Sequence, residues 1–352
     1  MELQNNHLYH EILEEPSVLR KIHQEYIGKT SPSLDEAIRI LNKHEMIIMV
    51  GMATSMYGCI PAQCMLSSGG KPNYLVDAAE FLNYHLEMTP KNAAFVLVSQ
   101  SGESAEIIHL LDKIGKGWQT VGVYNNDQST LAKQCTVGLP IFAGAQLACG
   151  SKTNTATIAV MNILAEGLLG TPQAKVGEQV ERAIIWLEEF FKNWEARIEP
   201  AVDLLDNSAY TVFIGRGPGL ASAYFSSVLF REVPKVVAEG LPAATFRHGL
   251  REMMTPDHRI VAFAPSGKTT EKVIQLTEEM NRLGIPSMIF TNQQVVRLPT
   301  NDGLVFQTAA LAENYSPLVD IAPPQLIGLK LALKRGLEPG KLVISDYVTK
   351  VE

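Results

Sequence analysis

The chain repeats itself, and that limits what it can fold into. Phe95-Val96-Leu97-Val98-Ser99-Gln100-Ser101-Gly102-Glu103-Ser104-Ala105-Glu106 recurs as Ile260-Val261-Ala262-Phe263-Ala264-Pro265-Ser266-Gly267-Lys268-Thr269-Thr270-Glu271, the Ser-Gly pairs lying 165 residues apart. Upstream, Ile47-Ile48-Met49-Val50-Gly51 matches Thr211-Val212-Phe213-Ile214-Gly215 at an offset of 164. Downstream, Thr120-Val121-Gly122-Val123-Tyr124-Asn125-Asn126 matches Pro286-Ser287-Met288-Ile289-Phe290-Thr291-Asn292 at 166. Three segments in one order at nearly one offset predict two copies of one folding unit.

Each copy alternates short apolar runs with stretches that are apolar at helical spacing. The first predicts strands near 46–51, 72–76, 94–99, 119–124 and 136–140, and helices near 33–44, 56–68, 78–86, 103–115 and 152–169. The second predicts strands near 210–215, 235–239, 259–264, 286–290 and 303–306, and helices near 219–232, 269–283 and 318–334. An amphipathic stretch from Val176 to Glu195 connects them. Such alternation implies parallel strands, because helices return the chain between them. The fold class is α/β, with helices on both faces of each sheet. The domain division falls at 1–195 and 196–352.

A chain of 352 residues lets each half bury its own core. A net charge of −7 with no basic run argues against nucleic acid and against an anionic membrane surface. No apolar run reaches membrane-spanning length. The start, Met1-Glu2-Leu3-Gln4, lacks the basic-then-apolar plan of a signal peptide. Cys59, Cys64, Cys135 and Cys149 form no CxxC and no metal-ligand spacing. The expectation is a cytoplasmic protein with free thiols and no metal.

The stretch Ser99 to Ser104 sits between a predicted strand and a predicted helix. A strand-to-helix turn aims backbone N–H groups and the positive end of a helix dipole at one spot. Hydroxyls at Ser99, Ser101 and Ser104 add donors, and Gly102 would let the backbone approach a ligand. A phosphate monoester fits without a lysine; a plain helix N-cap, Ser101 with Ser104, also accounts for these residues. In parallel sheets, ligands bind beyond the carboxyl ends of the strands. The turn Gly51-Met52-Ala53-Thr54-Ser55 belongs at the same edge. The second copy's turns, Gly215-Arg216-Gly217-Pro218-Gly219 and Pro265-Ser266-Gly267-Lys268, are poorer in hydroxyls. One phosphate site per chain is expected, in the first copy.

Proton transfer needs a His, Glu or Lys. Glu232 ends an apolar helix, and His248 stands before Gly249 in a turn. Each also has a structural reading: Glu232 as a solvated helix end paired with Arg231 or Lys235, and His248 as a histidine bonded to backbone. His258, ten residues after His248, could pair with it at a metal, but no third ligand offers itself.

Taken together these residues resemble the double-SIS (sugar isomerase) family, above all the isomerase half of glutamine–fructose-6-phosphate aminotransferases. The match rests on His10-Glu11-Ile12-Leu13-Glu14-Glu15-Pro16, on Ala53-Thr54-Ser55 with Ser99-Gln100-Ser101-Gly102-Glu103-Ser104, on Gly215-Arg216-Gly217, and on Glu232 and His248 at the family's separation. The resemblance implies two tandem SIS units, each a flavodoxin-like αβα sandwich. It implies that Ser55, Ser99, Gln100, Ser101 and Ser104 hold a 6-phosphate and that Ser151 lies near the sugar hydroxyls. It further implies that Glu232 moves a proton between C1 and C2, and that His248 opens the sugar ring from the partner chain of a homodimer. No cofactor is needed for that chemistry.

The departures are specific. The matched half carries no glutaminase, so no glutaminase activity is expected. The family's His-Gly-Pro is His248-Gly249-Leu250, its Lys three residues before the catalytic Glu is Leu229, and its Schiff-base Lys falls on Tyr347, with Lys350 three residues on. Lys350 is therefore a candidate substrate-binding residue. Both Tyr347-Val348-Thr349-Lys350-Val351-Glu352 and Phe246-Arg247-His248-Gly249 resemble the ketosamine-6-phosphate deglycases of the same superfamily. Three functions follow: a phosphosugar isomerase or deaminase acting on an amino-sugar 6-phosphate of the glucosamine-6-phosphate type, a fructosamine-type 6-phosphate deglycase, or a non-catalytic sugar-phosphate sensor.

Overall fold

The computed structural model describes residues 3–344, apart from the side chain of Lys116. The chain forms two compact units. The first-copy unit comprises Ser17–Gln146 and Lys152–Glu181; the second-copy unit combines the N-terminal segment up to Pro16 with Leu147–Ser151 and Arg182–Lys341.

The first-copy sheet has strands β1 (Met46–Gly51), β2 (Asn73–Asp77), β3 (Ala93–Val98), β4 (Thr120–Tyr124) and β5 (Val137–Pro140), in the order β2-β1-β3-β4-β5. The second has β6 (Tyr210–Gly215), β7 (Ala238–Pro242), β8 (His258–Phe263), β9 (Ser287–Thr291) and β10 (Gly303–Gln307), in the order β7-β6-β8-β9-β10. Every pairing is parallel. The two orders are the same, and so is the register: Gly51 faces Val98 as Gly215 faces Phe263. The repeat in sequence is a repeat in topology. Strands covered on both faces read as unbroken apolar runs, and every residue of β3 and of β6 is buried.

All ten predicted strands form. The exception in placement is β7, which starts three residues later than the expected 235. Lys235 has a φ of 55°, a left-handed kink that keeps the chain from extending there. The helix expected over 56–68 is two, Thr54–Tyr57 and Ile60–Ser68. The helix expected over 78–86 is one α turn, Ala78–Glu80, passing into a π turn at Phe81–His85. The stretch from 176 is split by Asn193 into helices Gln173–Lys192 and Trp194–Leu205. Among the described residues no helix is long and apolar enough to cross a membrane.

Candidate active site

In the first-copy unit, β1 and β3 are neighbours at the point where the strand order reverses, so the turns that follow them leave side by side. The turn after β1 is tight: a Cβ on Gly51 would lie 2.9 Å from the Met56 nitrogen. Ala53 takes a φ of 44° to start the short helix that carries Ser55.

The turn after β3 is built by its own hydroxyls. The Ser99 hydroxyl, 2 % exposed, accepts from the Gly102 N–H at 3.1 Å and lies 3.0 Å from the Ser104 hydroxyl. Ser104 is the N-cap of helix Ala105–Ile114, yet its side chain makes no capping bond; it turns to Ser99 instead. Ser101 accepts from the Glu103 N–H at 3.1 Å, and Gln100 accepts through its carbonyl from the Asn125 N–H. Gly102 is required by the loop itself. Its φ is 66°, and a Cβ there would stand 2.2 Å from the Ser129 hydroxyl oxygen. Glu103, whose charge would repel a phosphate, is turned away: its carboxylate accepts from the Thr130 N–H at 2.6 Å and the Thr130 hydroxyl at 3.0 Å. Ser99 and Ser104 are thus brought together, Ser101 and Gln100 share their loop, and Ser55 heads the adjacent turn.

The equivalent loop of the second copy holds a carboxylate. Ala264 and Pro265 replace Ser99 and Gln100, removing a hydroxyl and an N–H. The Glu313 side chain lies where a Cβ on Gly267 would be, 2.0 Å from its carboxyl carbon, and accepts from the Lys268 N–H at 3.3 Å. Burial raises the Glu313 pKa against the opposing pull of Lys268.

Glu232 ends the helix Gly219–Glu232, a helix buried along most of its length because Ala221, Ala223, Phe225, Leu229 and Phe230 pack inside. Burial raises its pKa above the usual carboxylate range, with Lys235 and then Arg231 pulling the other way. A carboxylate at a helix C-terminus also meets the negative end of the dipole, which acts in the same direction as burial. The irregular segment Leu147–Ser151 belongs to the same unit. The Cys149 thiol is pushed up first by burial and then by the charges of Glu232 and Glu11. Glu11, on helix His7–Leu13, accepts from the N–H of Leu147, the N–H of Ala148 at 3.3 Å and the hydroxyl of Ser151 at 3.3 Å. Local sequence gives no sign of this anchor; its partners are more than 130 residues away.

His248 is exposed, on the turn after Ala243–Phe246, its N–H bonded to the Thr245 carbonyl at 2.8 Å. Arg247 and Arg251 on either side both pair with Glu279, at 3.0 and 2.6 Å. Within one chain the second sheet separates His248 from Glu232. Phe246 packs with Val212 and Ile214 of β6, whereas Phe230 of the Glu232 helix packs on Phe213, 4.8 Å between ring centroids. Successive strand residues point to opposite faces, so the two elements lie on opposite faces. His258 starts β8, with its ring against Tyr210 and its Nδ1 accepting from the Thr255 N–H at 3.2 Å. It forms no metal site with His248, and among the described residues no group of three metal-ligating side chains is assembled. Lys350 lies outside the described residues.

Known proteins resemble this chain in sequence and in fold. The chain is 27 % identical over 337 residues to the glutamine–fructose-6-phosphate aminotransferase of Pyrococcus horikoshii, covering 94 % of this chain and 55 % of that protein. The chain thus spans about half the length of the curated relatives it matches. In structure it resembles the C-terminal domain of the glucosamine-fructose-6-phosphate aminotransferase of Francisella tularensis (TM-score 0.87, 20 % identity, 97 % of this chain and 100 % of that one). It also resembles the glucosamine-6-phosphate deaminase of Thermotoga maritima (TM-score 0.76, 19 % identity, 97 % and 99 %). The SIS domain model matches twice, over residues 40–167 and 204–335, once on each copy of the repeat; the chain belongs to the SIS domain family.

Proposed function

We propose that this protein is a phosphosugar isomerase or deaminase acting on an amino-sugar 6-phosphate of the glucosamine-6-phosphate type. The observation that carries the reading is Glu232, a carboxylate whose burial favours the protonated form, as a group that takes up and returns a proton should be. The hydroxyl-rich loop from Ser99 to Ser104, with Ser55, is the proposed phosphate cradle, and Ser151 the contact to a sugar hydroxyl. Glu232 removes the proton on C2 of the open-chain aldehyde, giving an enolamine, and returns it to C1. The resulting ketimine takes up one water, releasing ammonia and leaving the ketose 6-phosphate. His248 protonates the ring oxygen to open the sugar. Because the sheet parts it from Glu232 within one chain, His248 serves the site of a partner chain, which makes a homodimer the working unit.

The Phe246-Arg247-His248-Gly249 turn, held from both sides by Glu279, keeps the deglycase reading as the second choice. Incubation with a panel of amino-sugar and ketosamine 6-phosphates, scoring ammonia and free amine separately, decides between them. Ammonia from glucosamine 6-phosphate is the expected result; free amine alone from ketosamines would replace it with the deglycase, and no turnover on any member would leave a sensor. In deuterated solvent the wild type should exchange the C2 proton and Glu232→Gln should not. Exchange at the wild-type rate in that variant would remove Glu232 as the base.

A further inference from the structure

Asp320 is 1 % exposed, at the end of the short helix Pro317–Asp320 in the second-copy unit. Neither of its carboxyl oxygens is hydrogen-bonded; the Ser316 and Thr308 hydroxyls approach it without reaching bonding geometry. The helices Gly219–Glu232 and Ala322–Lys334 and the turn Glu313–Tyr315 pack against this helix. On them, Lys330 pairs with Glu195 at 2.7 Å, Lys334 with Asp206 at 3.1 Å, and Glu313 lies on the Gly267 loop. Tyr224, Arg231, Glu232 and Tyr315 are their other ionisable groups, and the stretch 308–311 has none. Among the described residues no cation pairs with Asp320. An ionised carboxylate so placed is strongly disfavoured, and burial pushes this one up to about 7.

The nearby hydroxyls favour the neutral group as well. Ser316 donates to the Glu313 carbonyl at 3.0 Å, so its oxygen offers Asp320 lone pairs only. A carboxylate cannot use them; a carboxylic acid can. The buried Thr308 hydroxyl has no other partner and can donate to the second oxygen. We propose that Asp320 is carried as a neutral carboxylic acid and latches the Glu313 turn: its O–H faces the Ser316 oxygen while Ser316 holds the Glu313 carbonyl, and loss of the proton draws the Ser316 hydroxyl over to Asp320. The turn Glu313–Tyr315 lays the Glu313 carboxylate on the Gly267–Lys268 loop, so the device is a proton-operated tie on the second copy's loop. It is independent of which sugar the protein takes.

Asp320→Asn fixes the neutral pattern, its NH2 donating where the acid O–H does. The unfolded chain gives up the Asp320 proton in the ordinary aspartate range, whereas the folded chain keeps it to about 7. Each pH unit between those values should therefore cost the wild type up to about tenfold in its folding equilibrium. Urea unfolding of the full chain should show Asp320→Asn gaining on wild type by about a hundredfold or more from about pH 4 to about pH 8, and levelling there. Hydrogen exchange compared between the two proteins at one pH, where intrinsic rates cancel, reads the latch. Residues 308–321 and 265–271 should open more in wild type at about pH 8 and equally at about pH 5. Ionisation of Glu313 acts the other way, since a carboxylate accepts the Lys268 N–H better than an acid does. A stability gap that stays flat or shrinks with rising pH would overturn the neutral carboxyl, and equal exchange at the higher pH would overturn the latch. Should Asp320→Asn fail to fold, the wild type alone decides: protection of 308–321, corrected for intrinsic exchange, that does not fall between about pH 5 and about pH 8 overturns the proposal.

Discussion

The two copies share a strand order and a register, and they differ at opposite ends of corresponding elements. In the first copy the loop after β3 keeps Ser99, Ser101 and Ser104 around Gly102. In the second the corresponding loop is met by the carboxylate of Glu313. The helix after the leading strand ends on Ser68 in the first copy and on Glu232, the same place in the repeat, in the second. The first copy has hydroxyls in its loop where the second has a carboxylate, and the second has a titratable acid where the first has a serine. Under the proposed function, each half would carry one task, phosphate binding in the first copy and proton transfer in the second.

The sharpest break of this division separates binding from turnover. Glu232→Gln should lower kcat by on the order of 10²–10⁴ and leave inorganic phosphate affinity unchanged. Ser99→Ala should weaken phosphate affinity by about tenfold, near the worth of one hydrogen bond to a charged group. Steady-state kinetics beside calorimetric phosphate titration measures both, and a parallel loss of both quantities in either variant would contradict the division.

The glycines of the two loops give a smaller contrast. Gly102→Ala forces a side chain into a left-handed φ and against Ser129, so it should lower stability by roughly 1–3 kcal/mol and remove phosphate binding. Gly267→Ala meets the flexible end of Glu313, which can swing aside, so urea unfolding should show a loss of under about 1 kcal/mol. Equal losses would mean that the two loops are equally rigid.

The smallest effect is electrostatic. Lys235 lowers the pKa of Glu232 against the pull of burial. A base works only when ionised, so activity falls as pH drops through that pKa. Lys235→Met removes the positive charge, raises the pKa further, and should move the acid limb of the kcat profile to higher pH by less than about one unit, since exposed charges are screened. A shift to lower pH would reverse the assignment.

Much of the fold was legible because it is local. Apolar runs marked all ten strands, and the repeat marked their grouping. Periodicity could not see the kink at Lys235 that delays β7, nor the break between Tyr57 and Ile60, since both depend on backbone angles that many sequences can take. The site was legible as a set of residue types and much less as a set of partners. The turning of Glu103 to Thr130, the approach of Glu313 to Lys268 and the clasp of Glu11 on Leu147, Ala148 and Ser151 join residues 27 to 140 positions apart. No local pattern encodes such pairings. The separation of His248 from Glu232 follows from which face of β6 each element covers, a property of the assembled sheet.

The N-terminal segment is bound to the far end of the chain as well: Asn6 donates to the Pro339 carbonyl at 2.9 Å, and Gln325 donates to Glu15 at 2.6 Å. On a ribosome that segment emerges more than 300 residues before these partners. At about 5–20 residues per second, its Leu8 and Ile12 wait on the order of 15–60 s before they can be buried. The first-copy sheet can close during that interval, because its strands lie between residues 46 and 140. The unit carrying the proposed base therefore matures after the unit carrying the proposed phosphate loop.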